Sequence, residues 1–97
     1  MIDATEILKK LKINKKGKYE NQMYVIDLED SNEYAKMYTL LCDNAVNTEY
    51  PAIENNTNNN TIKVINYFET EIKNQAYNIF LIADLDEDHY YVKIGEK

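Results

Sequence analysis

Four of the five residues from Asp84 to Asp88 (DLDED) are acids, and Asp84, Asp86 and Asp88 have the alternate spacing that opens a calcium-binding loop. The match stops there. His89 stands where such a loop needs glycine for its sharp turn, and Gly95 stands where a bidentate glutamate should close the site. No metal ligand set is predicted, and the run reads as an acid-rich β-turn. Four carboxylates on a tight turn also resemble consecutive backbone phosphates in charge and roughly in pitch. The run is therefore a candidate contact for a basic surface.

Chemistry by nucleophiles or general bases has little to stand on. The chain holds one histidine (His89), one cysteine (Cys42) and one serine (Ser31), each with an ordinary place at a strand start, on a helix or at a cap. A catalytic triad or a two-ligand metal site would need them in one place. Gly17 and Gly95 are the only glycines, so no loop can cradle a phosphate. No catalytic residue, no cofactor and no enzymatic activity are predicted.

Charge bears on partners. The first 18 residues carry six lysines against Asp3 and Glu6, and the remainder carries five lysines against 15 acids, for a net charge of −6 without a single arginine. The lysines from Lys9 to Lys18 could mark a small nucleic-acid footprint. Lysines near a helix C-terminus are, however, stabilised by the macrodipole, and a body this anionic repels nucleic acid. Lysine also lacks the planar fork that reads phosphate or guanine bidentately. Direct nucleic-acid binding is not expected. A second acidic group, Asp27, Glu29, Asp30 and Glu33, falls where a strand runs into a helix, and Asp30 and Glu33 have structural work there as a capping box. Glu69 and Glu71 share one face of an extended hairpin, and Glu49 and Glu54 fall on a polar loop.

The length, 97 residues with 44% hydrophobic and 29% charged, fits a single domain spanning 1–97. Asp3-Ala4-Thr5-Glu6 is a capping box followed by Ile7, Leu8 and Leu11, predicting a helix over 4–14 with Gly17 as its left-handed cap. Residues 22–28 (QMYVIDL) read as a strand. After the Asp30 box, Tyr34, Met37, Tyr38 and Leu41 recur at helical spacing, predicting a helix over 31–44 with Cys42 half-buried late in it. The competing reading is a hairpin turning at Ser31-Asn32 with a strand over 34–41, which the adjacent Leu40 and Leu41 disfavour. The Asn-rich stretch 47–60, with Pro51 in it, reads as a long polar loop. The last third is a β-meander of 62–68, 77–83 and 89–94, with a turn near Lys73-Asn74-Gln75. The predicted fold class is α+β: about four mainly antiparallel strands with two amphipathic helices packed on one face. The other face stays open and presents Ile65, Tyr67, Tyr91 and Lys93.

Acids at the N-terminus and the lack of an apolar run of signal or membrane length predict a soluble, cytoplasmic protein without membrane contact. The Asn-x-Thr matches at Asn55 and Asn59 are then accidents of the Asn-rich stretch. All-lysine basicity with 13 asparagines and 11 isoleucines is the usage of an AT-rich genome, pointing to a low-GC bacterium or to its phages or mobile elements.

A short chain, a capped N-terminal helix, a few antiparallel strands, and the Asp84–Asp88 run beside Tyr90 and Tyr91 together give the chain its character. In that character it resembles the small acidic anti-defence proteins of phages of low-GC Firmicutes, the type II anti-CRISPR proteins among them. The resemblance implies a non-enzymatic inhibitor, monomeric or homodimeric. Its acidic surface would occupy the basic nucleic-acid groove of a host defence protein such as a CRISPR effector. The residues expected at that interface are Asp84, Asp86, Glu87, Asp88, Tyr90, Tyr91, Glu69 and Glu71. The alternative is a phage accessory or immunity-type module that oligomerises through its open sheet face. Salt separates the two, because charge-driven binding weakens with ionic strength and an apolar sheet interface barely responds.

Overall fold

The computed structural model describes residues 2–48, 52–56 and 61–97, with backbone alone for 52–56 and Thr61. The fold class is α+β: the described residues form two helices and an antiparallel sheet. The strands are β1 (Lys18–Glu20), β2 (Met23–Leu28), β3 (Val46–Asn47), β4 (Ala52–Asn56), β5 (Thr61–Ile72), β6 (Gln75–Asp84) and β7 (His89–Glu96). Six of them run in the order β1-β2-β7-β6-β5-β3, and β4 also pairs with β5. The sheet is thus larger than the four strands expected.

Helix α1 (Ala4–Leu11) begins as its sequence requires, with Asp3 accepting a bond from the Glu6 N–H. It stops three residues short of the expected end, and Gly17 is not its cap. Lys12 takes the left-handed conformation itself (φ 61°), its N–H bonding the Lys9 carbonyl while the Ile13 N–H reaches back to Leu8. This is a Schellman ending, and the burial of Ile13 against the core is what favours it over another helical turn. Gly17 instead lies against β2. A Cβ there would be 2.0 Å from the Val25 carbonyl oxygen.

Helix α2 (Ser31–Asn44) has the predicted bounds, with Asp30 accepting from the Glu33 N–H at 3.0 Å. Met37 and Leu41 are buried on the sheet, and Tyr34 and Tyr38 pack half-buried beside them. The strand alternative for 34–41 is thereby excluded. Both helices contribute to one core, with Ile7, Leu11 and Leu41 meeting Ile26, Phe68, Ile79 and Val92 of the sheet. Cys42 lies on the exposed side of α2 and not half-buried as expected, because Met37 and Leu41 define the inward stripe.

Two hairpins, β1–β2 and β5–β6, turn through residue pairs with positive φ, Asn21-Gln22 and Lys73-Asn74. Such pairs match the strand twist of a two-residue loop. The stretch 47–60 is not loop throughout: Val46–Asn47 and Ala52–Asn56 pair along one edge of β5. The rest of that expectation, 49–51 and 57–60, lies outside the described residues.

The face opposite the helices bears no second layer among the described residues, yet it covers itself. Val25, Ile82 and Tyr91 are each no more than 9% exposed, packed with Ile65 and Phe80. The Tyr67 and Phe80 rings meet at 5.2 Å, His89 tilts over Tyr91 at 4.7 Å, and the Lys93 ammonium sits 5.6 Å from the same ring. Tyr91 is therefore on the predicted face but is buried in it.

Candidate protein-interaction surface

The pairing of β2 with β7 decides where the acids go. Leu28 is opposite Tyr90 and Asp27 is opposite Tyr91, so the strand-to-helix junction 27–33 lies beside the β6–β7 turn 85–88. The two acidic runs, four carboxylates each and far apart in sequence, share one end of the sheet. A contact between His89 Nε2 and Asp27 Oδ1 at 3.1 Å spans 62 residues and ties them together. Asp27, Glu29, Asp30, Asp86, Glu87 and Asp88 are exposed there.

The predicted residues do not all belong to this surface. Asp84 is 6% exposed and accepts a bond from the Glu87 N–H, so it shapes the turn and is not free for a partner. Asp86 accepts from the Ile62 N–H at 2.7 Å, which fastens the turn to the start of β5 while leaving the residue exposed. Asp88, at φ 50°, accepts a bond from the Tyr90 hydroxyl. That bond holds the tyrosine's pKa above its ordinary value, with burial and the charge of Asp30 adding in the same sense. The carboxylates of the D-x-D-x-D run thus point to different partners. Among the described residues no group of three His, Cys, Asp or Glu is placed to hold a metal.

Tyr90 and Tyr91 point to opposite faces, as successive strand residues must. Tyr90 packs against Tyr34 at 5.6 Å on the helix side, and Tyr91 belongs to the self-covered face. Glu69 and Glu71 do not join the acidic end. Glu69 is six residues along β5 from Lys63, the residue opposite Asp84, which puts it about 20 Å away at the usual strand rise. It is also occupied, taking bonds from the Lys97 ammonium and the Tyr67 hydroxyl, which lower its pKa. Glu71 is exposed, and Lys10 bonds its backbone carbonyl.

Glu33 binds Lys15 at 2.5 Å, and that bond lowers the carboxyl's pKa and raises the ammonium's. A lowered folded-state value means that Glu33 and Glu69 contribute stability above the unfolded carboxyl value of 4.5 and lose it as pH falls through their folded values. The thermal midpoint of Glu33→Gln/Glu69→Gln should lie furthest below wild type near neutral pH. The gap should narrow as the pH falls below 4.5 and the two carboxyls take up protons. A gap that stays constant with pH would show that neither ion pair is responsible for it.

Sequence reasoning missed the contribution of Asp27 and Glu29 to the same end as the turn, and it passed over Leu85. The one signal for the latter was an apolar residue inside DLDED. No helix among the described residues is long and apolar enough to cross a membrane. No family model matches the chain, and no curated protein or solved structure is significantly similar to it.

Proposed function

We propose that the chain is a non-enzymatic protein-binding inhibitor, phage or mobile-element encoded, acting in the host cytoplasm. Its acidic end would occupy the basic nucleic-acid groove of a host defence protein, the anti-CRISPR-like action that its general character implies. The observation carrying this reading is the β2–β7 register, which gathers two acidic runs onto one end of a chain of net charge −6. Clustered carboxylates raise the on-rate toward a cationic groove and bar nucleic acid from the same surface. Oligomerisation through the open sheet face draws less support, because Val25, Ile82 and Tyr91 are already shielded by their neighbours and leave little apolar area to bury.

The test expresses the chain in a low-GC host whose type II CRISPR system restricts a phage, alongside the variant Asp27→Asn/Asp86→Asn/Glu87→Gln/Asp88→Asn. Asp84 is left intact because it is buried in the turn. Wild type should abolish restriction and the variant should restore it. With the purified effector, binding by the variant should fall about tenfold or more, and wild-type binding should weaken steeply with salt. Full activity of the folded variant would remove the acidic end from the mechanism. Undiminished restriction beside wild type would remove this class of target.

A further inference from the structure

At the acidic end the N-terminus of α2 leaves the start of β5 and the β6–β7 turn exposed on the helix side. Its last cover there is Tyr34, which receives a bond from the Asn66 side chain and meets the Tyr90 ring at a tilt. Beyond it the same face of the sheet continues apolar. Along β5 the side chains pass from buried Asn66 to half-buried Val64 to Ile62, 40% exposed. Along β6 and into the turn they pass from Leu81 and Ala83, both buried, to Leu85 at 54%. The two exposed residues are neighbours, since the Leu85 N–H bonds the Ile62 carbonyl at 3.0 Å. The Ile62 N–H is in turn held by the Asp86 carboxylate. Asp86, Glu87 and Asp88 follow Leu85 directly in the turn, all exposed.

We infer that Ile62 and Leu85 form the apolar anchor of a docking surface whose occupant is a protein with an apolar pocket rimmed by lysine or arginine. The inference rests on the acidic end being an interaction surface, and it adds what charge alone does not supply. An aliphatic centre inside a charged rim is the ordinary anatomy of a protein interface, in which the rim steers and the dry centre holds. Charge complementarity selects the occupant. A second copy would set acidic end against acidic end, and a nucleic acid would carry the same sign as the rim. The Leu85–Ile62 backbone bond and the Asp86 carboxylate on the Ile62 N–H fix the backbone of the anchor before contact, so little backbone freedom is lost on docking.

Two synthetic peptides of equal length and charge test this on the full chain by calorimetric titration, one alternating Lys and Leu and the other Lys and Ser. Wild type should bind the Lys–Leu peptide about tenfold more tightly than the Lys–Ser peptide. Leu85→Ser/Ile62→Thr should bind both with the Lys–Ser affinity. Its thermal midpoint should fall by no more than a few degrees, since Ile62 is 40% and Leu85 54% exposed, and the fold should be retained. Equal binding of the two peptides by wild type, a preference surviving in the double variant, or no binding of Lys–Leu overturns the anchor. So does a wild-type dimer in sedimentation that the double variant loses, which would give the patch to a second copy. The acidic-end reading fails separately, if Asp86→Asn/Glu87→Gln/Asp88→Asn binds the Lys–Ser peptide as wild type does.

Discussion

Gly17→Ala is expected to cost about 3 kcal/mol or more, measured as the shift of the urea midpoint, while Gly95→Ala should cost under about 1 kcal/mol. Neither glycine has a positive φ, so the contrast is one of space. At Gly17 the new methyl would stand 2.0 Å from the Val25 carbonyl oxygen and 2.7 Å from its carbon, both backbone of a paired strand. Relief requires pulling the 13–17 segment off β2. The bond from the Gly17 N–H to the Tyr24 hydroxyl at 2.6 Å and the entry into β1 would go with it. At Gly95 the nearest atom is the terminal carbon of Met23 at 3.0 Å, which can swing aside. Equal effects at the two positions would show that the segment before β1 is not held against β2.

Phe68→Ala should cost about 3–5 kcal/mol, a large part of the stability of a domain this size. The ring is fully buried, opposite Ile79 in the sheet, and meets the Tyr38 ring edge-on at 6.0 Å under α2. Its removal leaves a cavity between helix and sheet that the paired β5 and β6 backbones cannot close. Denaturant unfolding checks the size of the loss. A cost under about 1 kcal/mol would mean that α2 settles into the space.

Where a signal was local, the sequence was sufficient to read it. Asp30 and the spacing of Tyr34, Met37, Tyr38 and Leu41 defined α2, and the apolar run from Ile79 to Ala83 announced a central strand. Elements whose cause lies elsewhere in the chain were not legible. The three residues of β1 are all exposed and polar or amphipathic, and they are a strand only because β2 is beside them. Gly17 looked like a cap because the carbonyl it must clear, at Val25, is reached only through the β1–β2 pairing. The same holds for the candidate site. Each acidic run was visible by itself, but their union depends on Leu28 meeting Tyr90, and no window of sequence contains both. The withdrawal of Asp84 and the exposure of Leu85 follow from a turn fastened to Ile62, which is equally remote.

The position of β7 between β2 and β6 has a consequence for biosynthesis. A polypeptide emerging from the ribosome presents β1, β2 and both helices first, and β5 with β6 later, but the strand that joins these two groups follows all of them. Until it is translated, β2 has one free edge, and Tyr24, Ile26 and Leu28 lack the neighbours that bury them. The decisive closure is therefore a late, long-range event, slow by the measure of contact order. In the interval the nascent chain displays an unpaired strand edge of the kind that chaperones shield and that aggregates exploit. Loss of β7 as a whole, by termination before Tyr90 or by a protease, would unpair β2 from β6 and its neighbours and remove the Leu28–Tyr90 register that brings the two acidic runs together.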